Sequence, residues 1–220
     1  MNNIFNMENG FFSVLSKICD ILFISVVWAL LCIPIVTIGP ATTALYYATV
    51  KVVRRERGYL FREFFRSFKD NFKNGAIIGV IITVVTIILI FDRTYAKALI
   101  EQNNSNLGMI LLSVFTAMVV LLLCFTIYVF PILSRFTMTK RQLVKSAFFM
   151  SIKHLPSTIA MAVIVALFAL ISYGIPIFIF IAPGLTAFLV SLLMERIFKK
   201  YMPKSEGNSE ETGKDEWYLE

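Results

Sequence analysis

The sequence predicts an all-α fold, a multi-pass transmembrane helical bundle, from its composition and from the distribution of its charges. Hydrophobic residues make up 58% of the 220 residues and charged residues only 16%, too few to cover a water-exposed surface. Four stretches contain no charged side chain, and a helix needs about 20 apolar residues to cross a hydrocarbon core roughly 30 Å thick. These stretches are 21–50, 75–91, 107–134 and 155–194.

The first uncharged stretch, 21–50, is longer than one crossing helix. Pro34 and the Gly39-Pro40 pair interrupt it, and proline removes a helical hydrogen bond. We expect a helix to about residue 33, a turn, and a short returning helix over about 40–53. A re-entrant hairpin is the alternative.

The later stretches supply four further spans. Each of 75–91 and 107–134 is expected to cross once, and a polar loop over 92–106 is expected to join them. The Gly75-x-x-x-Gly79 spacing permits a close approach of another helix. The stretch 155–194 breaks at Gly174 and Pro176 into two helices. The prediction is therefore six spans, with five as the alternative.

The positions of lysine and arginine predict the orientation, because basic residues near span ends are retained on the cytoplasmic side. The link 51–74 carries eight of them and the link 135–154 carries five, whereas the loop 92–106 carries two. We therefore expect both links and both termini in the cytoplasm and the loop 92–106 outside. Because topology accounts for the net charge of +7, a nucleic-acid partner is not expected; the expected partner is the lipid bilayer.

The link 51–74 contains a predicted amphipathic helix over 59–73, in which aromatic and basic residues recur at helical spacing on different faces. The two sets are Phe61, Phe64, Phe65, Phe68 and Arg62, Arg66, Lys69, Lys73. This pattern is typical of a helix lying in the headgroup region, and intramolecular packing or docking of a partner would produce a similar one.

A related pattern occurs elsewhere, because 148–153 resembles 64–69 and 11–17 resembles both more weakly. Each of these segments precedes two apolar spans. We hypothesise three similar units, each consisting of a surface helix followed by a helical hairpin. The alternative is that interfacial helices leading into a span look alike by convergence.

The segment 33–47 holds the densest group of helix-breaking and hydroxyl-bearing residues. A helix break inside the bilayer leaves backbone N–H and C=O groups without a helical hydrogen bond. Threonine hydroxyls can supply the missing hydrogen bonds. A broken helix is also one way in which transporters build polar sites. The alternative is a tight structural hairpin. The candidate residues are Pro34, Thr37, Gly39, Pro40, Thr42, Thr43, Tyr46 and Tyr47.

The sequence contains no catalytic, cofactor-binding or metal-binding motif. Its one histidine, His154, has no ligand partner nearby in sequence, and its three cysteines lack C-x-x-C spacing. We expect neither an enzyme nor a cofactor or metal. Residues 1–201 are predicted to form a single transmembrane domain, and 202–220 a disordered acidic cytoplasmic tail.

The run I-P-I-V-T-I-G-P-A-T-T-A-L-Y-Y at 33–47, followed by F-F-R-S-F-K-D-N-F-K at 64–73, resembles the YesL family. The resemblance extends to about residue 201. It implies a bacterial inner-membrane protein, in many cases encoded beside sugar-uptake transporters and polysaccharide-degrading enzymes. The family has no established activity.

Two hypotheses follow for function. The first is a non-enzymatic accessory protein that contacts or regulates a carbohydrate uptake system, with subunits of a sugar transporter as partners. The second is a small permease or channel for a neutral polar solute near Thr37, Thr42 and Thr43. A permease requires a water-accessible polar pocket at the bilayer midplane, and the sequence does not predict the oligomeric state.

Overall fold

The computed structural model describes residues 10–103 and 106–201, and within these ranges the chain forms helices and short connections without strands. The predicted acidic tail, 202–220, lies outside them. The α-helices are α1 (Gly10–Leu31), α2 (Ile38–Ala48), α3 (Leu60–Asp70), α4 (Phe72–Asn103), α5 (Asn106–Arg135), α6 (Lys140–Lys153), α7 (Leu155–Gly174) and α8 (Ala182–Phe198). This arrangement confirms the predicted all-α class.

Four helices of the described chain, α1, α4, α5 and α7, are long and apolar enough to cross a membrane. Helix α2 has 11 residues and continues as a six-residue π-helix, Thr49–Arg54, while α8 has 17 residues. At 1.5 Å per residue, each of these two segments is about 25 Å long. The chain is thus a membrane-type helical bundle, and the count of six spans stays a prediction.

The predicted break in the first uncharged stretch lies between α1 and α2. Helix α1 ends at Leu31, Pro34 adopts extended backbone angles, and a 3-10 turn over Ile35–Thr37 leads into α2. Pro40 lies in the first turn of α2, where a missing N–H costs no helical hydrogen bond. The proline and glycine residues therefore produce a reversal without leaving a long irregular segment in lipid.

Helix α2 lies at the centre of the bundle, in contact with α1, α3, α4, α5 and α8. Most of its residues are small, and Ala41, Ala44 and Ala48 are fully buried. One hydrophobic cluster joins α2 to α1 and α3 around Ile24 and Phe64. A larger cluster joins α5, α6, α7 and α8 around residues such as Tyr128, Met161 and Phe198. The short α2 is thus enclosed by other helices more than by lipid.

Helices α2 and α4 touch through glycine, as the Gly75-x-x-x-Gly79 spacing predicts. A Cβ atom built on Gly79 would lie 2.8 Å from both the nitrogen and the Cα of Gly39, and one built on Gly75 would lie 3.0 Å from the nitrogen of Pro40. The contact is made within one chain. These glycines permit a backbone-to-backbone crossing that any side chain would prevent.

The predicted polar loop over 92–106 is wrong for most of its length. Helix α4 continues to Asn103 and α5 begins at Asn106, and the two residues between them lie outside the described ranges. No glycine or proline interrupts 92–103, and Ala96 is fully buried where α4 and α5 meet. A Cβ on Gly108 would contact the Ala96 carbonyl oxygen at 3.2 Å. At about 48 Å, α4 extends beyond a hydrocarbon core of about 30 Å.

Helix α3 has the amphipathic character that the sequence predicts. Its Phe64 is buried against α1 and α2, and Phe65 and Phe68 pack beside it. Phe61 is 58% exposed. Its ring nevertheless lies 4.6 Å from that of Phe65 and 6.4 Å from that of Phe23, centroid to centroid. The predicted basic residues, Arg62, Arg66, Lys69 and Lys73, are all exposed. The helix ends earlier than predicted, at Asp70, so Lys73 lies in the first turn of α4. Intramolecular packing therefore involves all four aromatic residues, while the basic side chains stay exposed.

The helix order partly matches the hypothesis of three similar units. Helix α3 precedes the α4–α5 hairpin, and α6 precedes the α7–α8 hairpin. The segment 11–17 differs, because it forms the first turns of the continuous helix α1. Helices α2 and α8 resemble each other, since both follow a 3-10 turn and have a proline, Pro40 or Pro183, in the first turn. The repeat stays a hypothesis that superposition of the hairpins would test.

Candidate functional site

Threonine hydroxyls around the α1–α2 turn satisfy backbone carbonyls. The Oγ1 of Thr37 donates to the carbonyl oxygens of Pro34 at 2.7 Å and Leu31 at 2.5 Å. Thr43 is fully buried, and its Oγ1 donates to the carbonyl oxygen of Gly39 at 2.9 Å. Thr37 thus supplies a partner for a carbonyl group at the end of α1, as expected for a chain that reverses in lipid, whereas the bond of Thr43 lies within α2.

The structure separates the other predicted polar-site residues. Gly39 and Pro40 lie in the α2–α4 contact, and Pro34 is exposed at the turn. Thr42 and Tyr46 line a cavity on one side of α2, whereas Tyr47 lines a polar cleft on the other. The eight residues therefore do not form one polar pocket.

The cavity beside Thr42 and Tyr46 has a volume of about 380 Å³ and lies between α1, α2, α5, α7 and α8. Its lining is almost entirely apolar. The hydroxyl groups of its lining residues Thr42, Thr126, Ser172 and Thr186 each donate to a carbonyl oxygen four residues earlier on their own helix. The indole nitrogen of Trp28 donates to Thr42 Oγ1 at 3.2 Å. This cavity therefore offers little to a polar solute.

A buried carboxylate, Glu195 of α8, forms the centre of a polar cluster at one end of the bundle. Tyr46 Oη donates to its Oε1 at 2.9 Å, and Arg135 Nε donates to the same atom at 3.1 Å. The Arg135 side chain is 1% exposed and that of Glu195 is 7% exposed. Because α2, α5 and α8 each supply one member, the cluster joins three helices.

Further arginines from the end of the π-helix lie beside this cluster. An Nη of Arg55 is 3.8 Å from Glu195 Oε2, and Arg54 donates to the carbonyl oxygen of Ser191 at 2.8 Å. Burial lowers the pKa of the Arg55 guanidinium, and the neighbouring Arg135 lowers it further. Arginine has such a high ordinary pKa that the group stays charged at neutral pH. The cluster thus carries more positive than negative charge.

A second buried ion pair joins α3 to the π-helix that follows α2. Lys51 Nζ lies 2.9 Å from Glu63 Oε2, with both side chains less than a tenth exposed, and it also donates to Tyr47 Oη at 3.3 Å. Lys51 lies within the π-helix Thr49–Arg54. The π-helix is a rare conformation in proteins, and where it occurs it is often at a functional site.

Glu195 and Glu63 are not among the site residues that the sequence predicts. Glu195 is the only carboxylate between residues 102 and 205, and it follows a long uncharged stretch directly. This position is also typical of an ordinary span boundary. A lone carboxylate among the basic residues at a span end is the sequence feature that indicates a buried ion pair. The sequence does not identify the partner, because Arg135 is 60 residues away.

Comparison with known proteins gives one match. Residues 19–93 match a family described as "Protein of unknown function, DUF624". The matched part, here called the DUF624 region, is less than half of the chain. Neither the curated proteins nor the solved structures contain a significant match.

The DUF624 region runs from the middle of α1 into α4 and contributes residues to both buried clusters. It supplies Tyr46, Lys51 and Glu63, whereas Arg135 and Glu195 lie outside it. The Lys51–Glu63 pair is therefore internal to the DUF624 region, and the Glu195 cluster joins this region to the rest of the bundle.

Three cysteines and one histidine lie outside the two clusters. The three cysteines are free thiols, and no group of three potential metal ligands occurs in the described ranges. His154 is half-buried and its Nε2 lies 2.9 Å from Tyr201 Oη. Burial lowers the pKa of His154, and Lys200 and Lys153 lower it further, so its neutral form is favoured at neutral pH.

Replacing Tyr46 with phenylalanine is expected to destabilise the bundle by about 1.5–3 kcal/mol, the range for a hydrogen bond to a charged group. The change removes the hydroxyl that donates to Glu195 and leaves the ring in place. The midpoint of thermal unfolding in detergent would measure the effect. Tyr95→Phe is the matched control, because Tyr95 is 65% exposed and should tolerate the change. Equal midpoints for both variants would contradict a stabilising role for the Tyr46 hydroxyl.

Proposed function

We propose that this chain is a non-enzymatic integral protein of a bacterial inner membrane, which acts through protein contacts at its cytoplasmic end as an accessory to carbohydrate uptake. The observation that carries the proposal is the surface of α3 and α6. Both short helices lie at the end of the bundle where α4 begins and α5 ends, and both combine exposed aromatic with exposed basic residues.

Helix α6 presents the larger exposed apolar surface of the two. Phe148 is 54% exposed and Phe149 is 58% exposed, while Lys145 and Lys153 are exposed beside them. The opposite side of α6, with Leu143 and the fully buried Ala147, packs on the bundle. Interfaces between proteins are enriched in aromatic residues and arginine, and a basic rim would favour an acidic partner surface.

The cavity and the buried charges favour this proposal over a permease. The cavity beside Thr42 is apolar, and the polar groups that line it are used within the protein. The buried carboxylates Glu63 and Glu195 are each held by a basic side chain, which suits a structural role better than proton transfer.

The sequence supports the proposed orientation of the protein in the membrane and its proposed role. The excess of basic residues in 51–74 and 135–154 supports cytoplasmic placement of α3, α6 and both termini. We further propose that the chain is a member of the YesL family. The likeness of 33–47 to that family and the DUF624 match support this assignment, and the family's frequent gene neighbours suggest subunits of a sugar transporter as partners.

Co-purification from native membranes would test the proposal. The tagged full chain, extracted in a mild detergent, is expected to retain a subunit of a sugar transporter, identified by mass spectrometry. A variant with Phe148→Ser and Phe149→Ser should lose that subunit. A control with Phe91→Ser and Tyr95→Ser should retain it, because these residues are 72% and 65% exposed near the other end of α4. Absence of any transporter subunit from the wild-type preparation would contradict the proposal.

A further inference from the structure

The apolar cavity beside Thr42 and Tyr46 is elongated along the helices of the bundle. Its lining residues on α5 and α8 fall within 123–131 and 182–190, and each range is about 12 Å of helix. Its volume is about 380 Å³, whereas an apolar cavity of about 150 Å³ holds a benzene molecule. By that ratio the cavity has room for about 15 carbon atoms. Its length and volume together suit an extended hydrocarbon chain.

The cavity opens at the lipid-facing surface of α7. Phe130, on its buried side, is 4% exposed, whereas the lining residues Ala169 and Ile179 are exposed. Ala169 lies within α7, one of the helices that are long and apolar enough to cross a membrane, and the next residue, Leu170, is 69% exposed. The opening therefore lies at the depth of the hydrocarbon core, where the neighbouring molecules are lipid acyl chains.

The chemistry of the lining disfavours water and polar solutes as occupants. The hydroxyl groups of Thr42 and Thr126 donate to carbonyl oxygens of their own helices, and that of Tyr46 donates to Glu195. Apolar cavities stay free of water, but an empty cavity loses dispersion contacts for every side chain that lines it. A hydrocarbon chain restores those contacts. The gain is van der Waals packing, because lipid tails are as apolar as the side chains of the lining.

We propose that this cavity binds one acyl chain of a membrane phospholipid, which enters from the bilayer beside Ala169 and Ile179. The bound chain lies between α1, α2, α5, α7 and α8 and completes the packing of these helices around the cavity. The proposal goes beyond the accessory function and does not depend on it, because the cavity lies among the apolar helices and the transporter contact is proposed on α6. The two sites are tested by different variants and different measurements.

Photo-crosslinking in a bilayer would test the site. The full chain is reconstituted into phosphatidylcholine vesicles in which some of the lipid carries a diazirine in the middle of one acyl chain. After irradiation, the labelled residues are mapped by mass spectrometry. Labelling is expected at Tyr46 and Phe130, which line the cavity, are each 4% exposed and are out of reach of lipid on the outer surface of the bundle. Labelling confined to outer residues such as Leu167 and Leu170 would overturn the proposal.

A larger side chain at the opening tests how the acyl chain enters. Ala169→Phe should obstruct the opening and lower the labelling of Tyr46 and Phe130 about tenfold. Ala166→Phe is the matched control, because Ala166 is an exposed alanine of the same helix that does not line the cavity. It should change that labelling by less than about twofold. Undiminished labelling of the two buried residues in Ala169→Phe would overturn the proposed entry.

A free fatty acid that carries the same diazirine distinguishes the two sources of an acyl chain. The labelled phospholipid is expected to label Tyr46 and Phe130 at least as strongly as the free fatty acid does. Labelling of these residues by the fatty acid alone would overturn the phospholipid assignment in favour of a free fatty acid. The wild-type labelling map tests the cavity itself, whatever the stability of the phenylalanine variants.

Discussion

Replacing Gly39 with alanine is expected to cost about 3 kcal/mol or more, at or above the upper end of the range for overpacking. The added Cβ would lie 2.8 Å from the carbonyl carbon of Gly75 and closer still to its oxygen. These are backbone atoms of α4, so no side chain can rotate away to relieve the overlap. Helices α2 and α4 would have to separate, and α2 is the central helix of the bundle. The yield of folded protein and its thermal midpoint in detergent would measure the loss.

Gly174 provides the matched control for that substitution. It is the last residue of α7, and a Cβ built on it meets no atom within 4 Å. Gly174→Ala should therefore change the free energy of unfolding by less than about 0.5 kcal/mol. If Gly39→Ala unfolds at the same temperature as Gly174→Ala, the close α2–α4 crossing is contradicted.

Replacing Glu195 with alanine is expected to destabilise the bundle by about 3–5 kcal/mol, because it leaves a buried charge without its main counter-ion. The Arg135 side chain is 1% exposed and cannot reach water without movement of α5. Thermal unfolding in detergent would measure the change. Arg196→Ala is the control, because Arg196 is the next residue of α8 and is exposed.

Removing both charges separates the cost of an unpaired charge from the stabilisation that the pair provides. A variant with Arg135→Met and Glu195→Met should be more stable than either single methionine variant, because replacing a buried ion pair with apolar residues is often neutral. A double variant as unstable as the two single effects added together would show that the two residues do not interact.

The sequence predicted the features that depend on local chemistry. Pro34, Gly39 and Pro40 indicated the reversal between α1 and α2, and the Gly75–Gly79 spacing indicated a close helix crossing. Most of the amphipathic pattern of 59–73 corresponds to α3, Leu60–Asp70. Each of these signals lies within a few residues, where backbone sterics or helical periodicity decides the outcome.

Features that depend on packing between distant segments were not predictable in this way. Polarity placed 92–103 outside the membrane core, but polarity does not decide whether a segment is helical, and Ala96 packs against α5. The Thr42 hydroxyl looked available for a solute, yet in a helix it donates to the Ile38 carbonyl. The contact between Glu195 and Arg135 arises only after α5 and α8 have packed together.

Cysteine accessibility would test most directly whether the basic surface helices face the cytoplasm. After replacement of Cys19, Cys32 and Cys124, single cysteines are introduced as Gln102→Cys at the end of α4 and Arg62→Cys in α3, both exposed positions. The reagent is a membrane-impermeant maleimide, applied to cells whose outer envelope has been removed and whose inner membrane is closed. It is expected to label position 102 in these cells, and position 62 only after the inner membrane is permeabilised. Labelling of both positions from the same side would contradict the proposed orientation and the cytoplasmic placement of α3 and α6.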